Sequence, residues 1–508
     1  MTESPSEDHG RPLEGPVPTL RSLLAPWVQN RRDEIALAAL HQPPDLYRSK
    51  GEKTSDSSYL RWTYGDLANK GELLASALSA RGLRRGETVT TLIYNCVEFA
   101  IAYWSCAIAK NTVSPVNPNF LKKSEEIQHV LKVAKTKAII VRDVASAKEL
   151  EKVAPEQTKA MKAKFIAGSE SVEGLVGWEN LTDVLASAQV NDNLRIDSED
   201  TSSDDAEDPT MIIFTSGTTS LPKGCAHTQR TITSCVRSHS MGLNLSPDRA
   251  CVNHIPISHV FGINYCHTYW VAGCKVVFPS ESFSPGSTLK AIHLEKITNV
   301  PAVPSMLGPL FDHPDLKKID RSSLIHAELA GTLVMPDDIS ECIEKLGVKT
   351  AVSTYGMTEG VPTVSWPLRE GPPPVFKERV SAGMVTPGAH IRICEPGSRV
   401  PIPRGEKGEL HMGGMHIIRE YLGAQEDTLY EDEYGPWIMT GDQAIMEKDG
   451  RICMLGRYKD LIIRGGENIS PGAIEAVLNK NTSLLVSAQK MPQSNLLTIS
   501  KGTSGRCL

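Results

Sequence analysis

Short runs of β-branched and apolar residues alternate with longer helical patterns along the chain, and this rhythm restricts the fold to the α/β class. The runs are "KAIIV" (137–141), "MIIF" (211–214), "KVVF" (275–278) and "KTAV" (349–352). They predict α/β layers with parallel sheets. From about residue 388, the alternation in "HIRICE" and "GELHMGG" predicts antiparallel strands and a smaller β subdomain.

Composition and charge favour a small ligand over a polymer. The chain has 508 residues, 40% of them apolar, which is enough for a large core and more than one folded unit. Its formal net charge of -6 leaves no basic surplus for gripping nucleic acid. The 11 cysteines include no CxxC pair, so we expect buried free thiols in a reducing compartment.

Targeting signals are not apparent in the sequence. The start "MTESPSEDHGRP" lacks the basic and apolar segments of a secretory signal, and the final "RCL" is not the peroxisomal SKL signal. The segment "TTLIYNCVEFAIAYWSCAIA" (90–109) contains Asn95 and Glu98, so we predict a buried helix and no membrane span. The acidic stretch "RIDSEDTSSDDAEDPT" (195–210) is predicted to be a solvated linker. These features predict a cytoplasmic protein.

The stretch "FTSGTTSLPKG" (214–224) directly follows a predicted buried strand and is rich in hydroxyl groups. Its backbone amides and hydroxyls can surround phosphate oxygens, and its lysine adds a mobile positive charge. The lysine is followed by glycine and preceded by proline, so the spacing is not that of a Walker A motif. A generic Gly/Ser turn is the alternative interpretation. The candidate phosphate-binding residues are Thr215, Ser216, Gly217, Thr218, Thr219, Ser220 and Lys223.

Three further motifs follow this loop in a fixed order. They are "STYGMTEG" (353–360), "TGD" (440–442) and "GRYKDLIIRGGENISPGAIE" (456–475). Together with the loop, they resemble the signature motifs of the adenylate-forming superfamily, which contains acyl-CoA synthetases, aryl-CoA ligases, luciferases and nonribosomal adenylation domains. Weaker matches at "WTYGDL", "RGLRRGETV" and "PISHVFG" extend the resemblance over about residues 60 to 475.

The resemblance implies a role for each motif residue around ATP and Mg²⁺. Lys223 and its loop would meet the β and γ phosphates, Thr358 would touch a phosphate, and Glu359 would hold Mg²⁺ through a carboxylate oxygen. A helix N-terminal acid is the alternative for Glu359. Asp442 would accept hydrogen bonds from the ribose hydroxyls, and Arg457 would assist there. Without the motif context, these two residues would be a turn residue and a surface charge.

The resemblance also indicates where adenine and the acyl group would lie. Tyr355 would lie against adenine, and His259 would line the entrance of the acyl pocket, with a satisfied core histidine as the alternative. The remaining candidates for nucleotide binding are Ala330, Gly331, Thr332, Ser353, Thr354, Gly356, Met357 and Lys459. The helix segment "VFGINYCHTYW" contains no acid to pair with an α-amino group, which disfavours amino acids and favours fatty, aryl or polyketide-type acids.

Departures from the family pattern concern two motif positions and the C-terminus. Ser220 stands where the family usually has glycine, and "ST" precedes Tyr355 in place of "QG". The predicted domains are a polar lead with a first helix (1–60), a large adenylation domain (61–458), and a hinge with an incomplete C-terminal domain (459–508). Lys480, Lys490 and Lys501 do not lie in the context of the family's late catalytic lysine.

The predicted function is that of an ATP- and Mg²⁺-dependent acyl-CoA ligase, with an activity reduced by the altered tail. The predicted fold is a large domain of two α/β subdomains and a small β-barrel subdomain, followed by an incomplete α+β domain. Two alternatives stay open: an adenylating module that loads a carrier protein, and a nucleotide-binding remnant without activity. The expected partners are a carboxylic acid and CoA or a carrier's phosphopantetheine, with neither a nucleic acid nor a membrane span.

Overall fold

The computed structural model describes residues 4–48, 57–197, 206–215, 221–368 and 380–460, together with the backbone of 462–464 and 467–469. The strands, in chain order, are β1 (Glu7–His9), β2 (Ile35–Ala39), β3 (Leu60–Thr63), β4 (Thr88–Leu92), β5 (Thr112–Pro115), β6 (Thr136–Val141), β7 (Ala163–Ile166), β8 (Glu179–Asn180), β9 (Pro209–Phe214), β10 (Gly224–Thr228), β11 (Ala250–Val252), β12 (Lys275–Phe278), β13 (Asn299–Ala302), β14 (His326–Leu329), β15 (Thr350–Ser353), β16 (Tyr355–Met357), β17 (Gly360–Ser365), β18 (Ser381–Val385), β19 (Ala389–Cys394), β20 (Lys407–Gly414), β21 (Tyr421–Leu422), β22 (Leu429–Asp432), β23 (Gly435–Met446), β24 (Ile452–Arg457), β25 (Ile462–Arg464) and β26 (Glu467–Ile469). The α-helices are α1 (Leu20–Asn30), α2 (Tyr64–Ala80), α3 (Val97–Ala109), α4 (Ser124–Val133), α5 (Val144–Val153), α6 (Pro155–Lys159), α7 (Leu181–Ser187), α8 (Gln229–Gly242), α9 (Val260–Val271), α10 (Pro285–Glu295), α11 (Pro304–Phe311) and α12 (Pro336–Glu341).

Two mainly parallel sheets form the α/β part of the fold. One has the strand order β21-β10-β9-β5-β4-β6-β7-β8, and its strands from β9 to β8 run parallel. The other has the order β15-β14-β13-β11-β12-β2-β3, and only its β2–β3 pair is antiparallel. The four apolar runs of the sequence become β6, β9, β12 and β15, so the predicted α/β organisation is confirmed.

The largest core cluster fills the space between these two sheets. It contains buried side chains of α2, α3, α8 and α9 together with alternate residues of strands from both sheets. In β12, for example, Val276 and Phe278 face this inner core, while Val277 faces a second core under α10 and α11. A third core lies on the other side of the first sheet, under α4 and α5. The strand period of two therefore produces a stack of alternating helix and sheet layers.

A separate antiparallel sheet follows in the chain. Its strand order is β1-β19-β20-β23-β24-β18-β17-β16, with β22 added beside β23. "HIRICE" and "GELHMGG" lie in β19 and β20, which pair in antiparallel register, so the predicted change from parallel to antiparallel texture is confirmed. The N-terminal strand β1 joins the edge of this sheet at β19.

The segment 90–109 is only partly the helix that the sequence predicts. Its first residues belong to β4, which pairs in parallel with β5 and β6, and α3 begins only at Val97. Cys96 caps the helix in an extended conformation and Asn95 donates hydrogen bonds to the carbonyls of Asn253 and Ile255. A buried parallel strand and a buried helix are both continuously apolar, so the sequence does not show the boundary between them. The helical remainder is buried, as predicted.

The predictions for the cysteines, the acidic linker and the late lysines have different outcomes. The ten cysteines described by the structure are all buried, and none of these ten forms a disulfide. Residues 198–205 of the predicted acidic linker, and Lys480, Lys490 and Lys501, lie outside the described residues. The described ends of the linker are not solvated as predicted, because Ile196 is buried and β9 already begins at Pro209. In the part of the chain that the structure covers, no helix combines the length and apolar character needed to cross a membrane.

Candidate active site

The predicted phosphate loop joins two antiparallel strands of the first sheet. β9 ends at Phe214, β10 begins at Gly224, and these two residues are register partners. The backbone N–H of Thr215 donates to the carbonyl of Lys223 at 3.0 Å, and the N–H of Lys223 donates to Thr215 Oγ1 at 3.3 Å. These bonds fix both ends of the loop. The intervening candidates Ser216, Gly217, Thr218, Thr219 and Ser220 lie outside the described residues.

One pocket, with a cavity volume of about 130 Å³, brings together residues from several separate parts of the chain. The predicted nucleotide-binding residues that line it are Gly331, Thr332, Ser353, Thr354, Tyr355, Gly356, Met357, Asp442 and Arg457. Leu333, Val334, Val380, Met454 and Gly456 complete the lining. The pocket therefore lies where the end of the second parallel sheet meets the antiparallel sheet.

Asp442 is the buried carboxylate of this pocket. It lies on β23, directly opposite Arg457 on β24 in the antiparallel register. The Tyr355 hydroxyl donates to its Oδ2 at 2.6 Å, and Arg457 Nε donates to its Oδ1 at 3.1 Å. Burial, and then the Asp442 charge, raises the pKa of Tyr355 well above 10, so this hydroxyl stays protonated and donates. The carboxylate is thus held in one orientation in the pocket wall.

Another part of the pocket lining is the turn that follows β14. Gly331 has a φ of +88°, a conformation that favours glycine, and a Cβ at this position would lie 3.0 Å from Cγ1 of Val303. Thr332 follows it into the pocket lining, whereas Ala330 is buried in the core. The glycine therefore lets the chain turn close to the wall and expose the next residue to the pocket.

Glu359 lies beside this pocket, in the turn between β16 and β17, and is 4% exposed. The Tyr421 hydroxyl donates to its Oε1 at 2.6 Å. Burial raises the pKa of Glu359, while the Tyr421 hydrogen bond and the charges of Lys223 and Arg457 oppose that rise. The predicted metal ligand Glu359 and the predicted phosphate ligand Lys223 therefore interact electrostatically. Arg457 interacts with both Glu359 and Asp442.

Lys223 contacts Tyr421, the residue that also donates to Glu359. Its Nζ lies 2.9 Å from Glu426 Oε1 and 4.9 Å from the centre of the Tyr421 ring. Both partners belong to the segment around β21, which pairs with β10 immediately after the lysine. The ammonium is therefore placed by the strand pairing that continues from the phosphate loop.

Thr358 is held through its backbone. His227 Nε2 lies 2.8 Å from the Thr358 carbonyl oxygen, and His227 Nδ1 lies 3.2 Å from Thr231 Oγ1. Burial lowers the pKa of His227 to about 4, so the ring is neutral at pH 7 and donates Nε2–H to the carbonyl. The strand that leaves the phosphate loop is thereby tied to the residue before Glu359.

Two predicted residues lie away from the Asp442 pocket. His259 is the exposed N-cap of α9, where its Nδ1 accepts from the backbone N–H of Phe261 at 3.2 Å. Desolvation of the ring by the surrounding protein lowers the pKa of His259. The position at an exposed helix start differs from that of a core histidine. Lys459 is also exposed and does not line the pocket.

Sequence reasoning missed the residues that support the motif side chains. Tyr421, Glu426 and His227 contact Glu359, Lys223 and Thr358, respectively. His227 is only four residues beyond Lys223 and could have been noticed as a buried polar residue in a strand. Tyr421 and Glu426 carry no comparable signal, because their contacts depend on the β10–β21 pairing across almost 200 residues.

A buried acid also faces α9, although that helix has none. Glu328, on β14, accepts hydrogen bonds from the Tyr265 hydroxyl and from His239 Nε2, the latter at 3.0 Å. Asn264 Nδ2 contacts His239 Nδ1 at 2.7 Å. The lack of an acid within α9 therefore does not mean that the helix faces none. The Glu328 carboxylate comes from the neighbouring strand and is already bonded to protein groups.

A larger cavity, of about 260 Å³, lies at the carboxyl ends of strands from both parallel sheets. Its polar lining includes His41, Gln42, Glu98, Arg142 and Glu281. Gln42 donates to Glu98 at 2.9 Å, and Arg142 pairs with Glu281 at 3.0 Å. None of the predicted site residues lines it, so it is a separate feature of the fold.

Comparison with solved structures defines the class of fold. The crystal structure of ATP-bound MatB from Rhodopseudomonas palustris matches with a TM-score of 0.72 over 90% of this chain and 82% of that protein, at 22% identity. At this identity the likeness defines the architecture alone. It agrees with the layers described above.

Sequence comparison then gives the family. The profile of the AMP-binding enzyme family matches residues 28–422, and the chain belongs to this family. It is 27% identical to acyl-CoA ligase GME11374 of Pestalotiopsis microspora, over 97% of this chain and 87% of the relative. It is 29% identical to acyl-CoA ligase SID4 of Ajellomyces capsulatus, over 84% and 73%, respectively.

Proposed function

We propose that this chain uses ATP to convert a carboxylic acid into an acyl adenylate and then transfers the acyl group to the thiol of CoA. The observation that carries the proposal is one pocket in which 331–334, 353–357, Asp442, Met454 and 456–457 meet. Family membership and relatives named as acyl-CoA ligases support the same reaction.

The Asp442 pocket suits an adenosine. An ionised carboxylate accepts hydrogen bonds only, so Asp442 is suited to two ribose hydroxyl donors. Tyr355 and Arg457 fix its orientation from opposite sides. We assign the adenine to the space beside Tyr355, bounded by Gly331 and Thr332.

The phosphates would extend from this pocket towards Thr358, Glu359 and Lys223. The ammonium of Lys223 and the amides of the loop after β9 would face the β and γ phosphates. The Glu426 contact, at 2.9 Å, holds the lysine without burying it, since its side chain is partly exposed. The cation can therefore exchange a carboxylate partner for a phosphate partner.

The chemistry of the donor set fits Mg²⁺. The described residues contain no group of three or more His, Cys, Asp or Glu side chains that could hold a metal by themselves. Mg²⁺ commonly binds through one or two carboxylates and the substrate phosphates, and Glu359 supplies one buried carboxylate next to Lys223. The ion would neutralise the phosphate charge that grows during the reaction.

The proposed reaction needs no nucleophile from the protein. A carboxylate oxygen of the acid attacks the α-phosphorus, the bond from that phosphorus to the bridging oxygen breaks, and pyrophosphate leaves. The thiolate of CoA then attacks the acyl carbonyl carbon, and AMP leaves with the electron pair of the broken bond. The protein contributes position and fixed charge, which are the main requirements of phosphoryl chemistry of this kind.

We expect the acid to be of the fatty, aryl or polyketide type. Helix α9 has no acid for an α-amino group, and the nearby Glu328 is already bonded by His239 and Tyr265. We also propose a cytoplasmic location, because unpaired thiols are typical of a reducing compartment.

The test is ATP–pyrophosphate exchange across a panel of fatty, cinnamic, benzoic and polyketide-type acids. We expect exchange with at least one acid, followed by thioester formation when CoA is added. Asp442→Asn should weaken the exchange, and the exposed control Asp449→Asn should not. Failure of exchange with every acid, in a chain that still binds ATP, would favour the nucleotide-binding remnant. Transfer to a phosphopantetheine carrier but not to CoA would favour the carrier-loading module.

A further inference from the structure

We propose that Tyr421 is a positioning residue of the adenylation site, which holds Glu359 for the metal ion and supports Lys223 for the phosphates. This inference rests on the proposed function. Tyr421 contacts both of these residues, and none of the sequence motifs includes it. Its hydroxyl contacts the carboxylate and its ring contacts the ammonium.

The hydroxyl of Tyr421 controls the carboxylate. It donates to Glu359 Oε1 at 2.6 Å, within the short range of hydrogen bonds to ionised acceptors. Tyr421 is 8% exposed and Glu359 is 4% exposed, so water competes little for this bond. A hydrogen bond to one oxygen fixes the rotation of the carboxylate, and the second oxygen then has a defined direction for a metal ion.

The ring of Tyr421 supports the ammonium of Lys223. The distance of 4.9 Å from Nζ to the ring centre is within the range of cation–π contacts. Glu426 contacts the same ammonium at 2.9 Å. The ring contact can persist when the lysine leaves Glu426 for a phosphate, because a cation–π contact does not require a particular N–H direction.

The backbone fixes Tyr421 between its two partners. β21 pairs in antiparallel register with β10, so Tyr421 lies opposite Cys225, two residues after Lys223. On the other side, the N–H of Ile418 donates to the carbonyl of Glu359 at 3.1 Å. The segment before β21 is therefore tied to Glu359 and β21 itself to the lysine strand, and the side chain of Tyr421 spans the gap.

Two substitutions distinguish the contribution of the Tyr421 hydroxyl from that of its ring. Tyr421→Phe keeps the ring and removes the hydroxyl, whereas Tyr421→Leu removes both contacts. Tyr430→Phe is a matched control, because Tyr430 lies in the antiparallel sheet and also makes a hydroxyl contact, to His411 Nδ1 at 2.9 Å. Thermal unfolding of each variant reports whether the fold is retained.

The experiment is a calorimetric titration with ATP, first in EDTA and then at increasing Mg²⁺. For Tyr421→Phe we expect metal-free ATP affinity to stay within about twofold of the parent. The Mg²⁺ concentration for half-maximal enhancement should rise about 10-fold or more, the usual effect of losing a group that orients a metal ligand. Tyr421→Leu should also weaken metal-free ATP binding, and Tyr430→Phe should change neither quantity.

The outcomes separate this inference from the proposed function. A parent chain that binds ATP with Mg²⁺ enhancement, together with a Phe variant of unchanged Mg²⁺ dependence, would overturn the role of Tyr421 alone. Equal losses in EDTA and in Mg²⁺ for the Phe variant would also overturn it, because they would indicate a general structural role. A parent chain that binds no ATP would overturn the proposed function, and the inference with it. The Phe variant decides the question even if the Leu variant fails to fold.

Discussion

Glu328 and Glu359 are both buried carboxylates, but they lie in regions of different character. Glu328 is 0% exposed in the core between the two parallel sheets, and it accepts from the Tyr265 hydroxyl and from His239. These partners keep its pKa lowered despite full burial. Glu359 lies at the edge of the antiparallel sheet, where Tyr421 donates to it and burial raises its pKa.

The difference shows how a buried charge can be either structural or functional. The partners of Glu328 are themselves bonded, since Asn264 contacts His239 at 2.7 Å and His267 contacts Asn264 at 3.0 Å. That network compensates the cost of burying the carboxylate. For Glu359, burial outweighs the opposing effects of the Tyr421 hydrogen bond and of the Lys223 and Arg457 charges, and its pKa is raised. The first carboxylate is satisfied by partners within the fold, and the proposed function assigns the second to a metal ion.

The largest expected effect is on stability, in the Glu328 region. Glu328→Leu leaves His239 and Tyr265 without their buried partner, and we expect the free energy of unfolding to fall by about 3–5 kcal/mol. Urea denaturation followed by circular dichroism measures this change. A loss below about 1 kcal/mol would contradict the structural role assigned to Glu328.

The next effect is on catalysis, in the Glu359 region. Glu359→Gln keeps the shape of the side chain and removes its charge, and we expect pyrophosphate exchange to fall about 100-fold or more. The free energy of unfolding should stay within about 1 kcal/mol of the parent, because an amide oxygen can still accept from Tyr421. Exchange assays and urea denaturation of the same preparation test both statements. A large loss of stability with normal exchange would contradict the prediction, because it would indicate a structural role for Glu359.

The sequence predicts these two regions unequally, and the reason is physical. Apolar runs such as 211–214 and 275–278 predict parallel strands because burial on both faces requires them to be apolar. The motif positions of Tyr355 and Asp442 come from the family resemblance, and they meet in one pocket. The network around Glu328 joins α8, α9 and β14, and no local pattern relates residues so distant in the chain.

The supporting residues of the site are hidden for the same reason. Tyr421 reaches Glu359 and Lys223 only after β21 pairs with β10. The boundary between β4 and α3 was missed because a buried strand and a buried helix are equally apolar. Local periodicity therefore predicts elements and layers, whereas the orientation of a side chain at the site depends on tertiary pairing.

Acid should destabilise the fold through its buried neutral histidines. Burial lowers the pKa of His267 to about 3 and that of His326 to about 4, below the usual 6.5. Between pH 6.5 and 4 the unfolded chain therefore binds protons that the folded chain does not. The stability from each neutral histidine is complete above pH 6.5 and falls by about 1.4 kcal/mol per pH unit below it.

Urea denaturation at pH 7.0, 6.0 and 5.5 measures this slope. His254→Leu is a useful control variant, because His254 is equally buried with a pKa lowered to about 4 and lies outside the Glu328 network. Removal of this imidazole should reduce the slope of the unfolding free energy against pH by the contribution of about one proton. A free energy of unfolding that is constant from pH 7.0 to 5.5 would show that these histidines are not buried in neutral form.

The smallest effect is expected in the nucleotide pocket. Tyr355→Phe removes the hydroxyl that donates to Asp442 at 2.6 Å, while Arg457 still holds the other oxygen. We expect ATP to bind about fivefold more weakly, the equivalent of about 1 kcal/mol, with unchanged Mg²⁺ dependence. Calorimetric titration with ATP tests this value. A shift in Mg²⁺ dependence instead would mean that Tyr355 acts through Glu359.

The most direct test is a crystal structure of the chain with ATP and Mg²⁺. We expect ribose hydroxyls within hydrogen-bond distance of Asp442, adenine beside Tyr355, and a triphosphate that reaches Lys223 with the ion on Glu359. ATP bound elsewhere, for example in the cavity lined by Glu98 and Arg142, with no contact to Asp442 or Glu359, would contradict it.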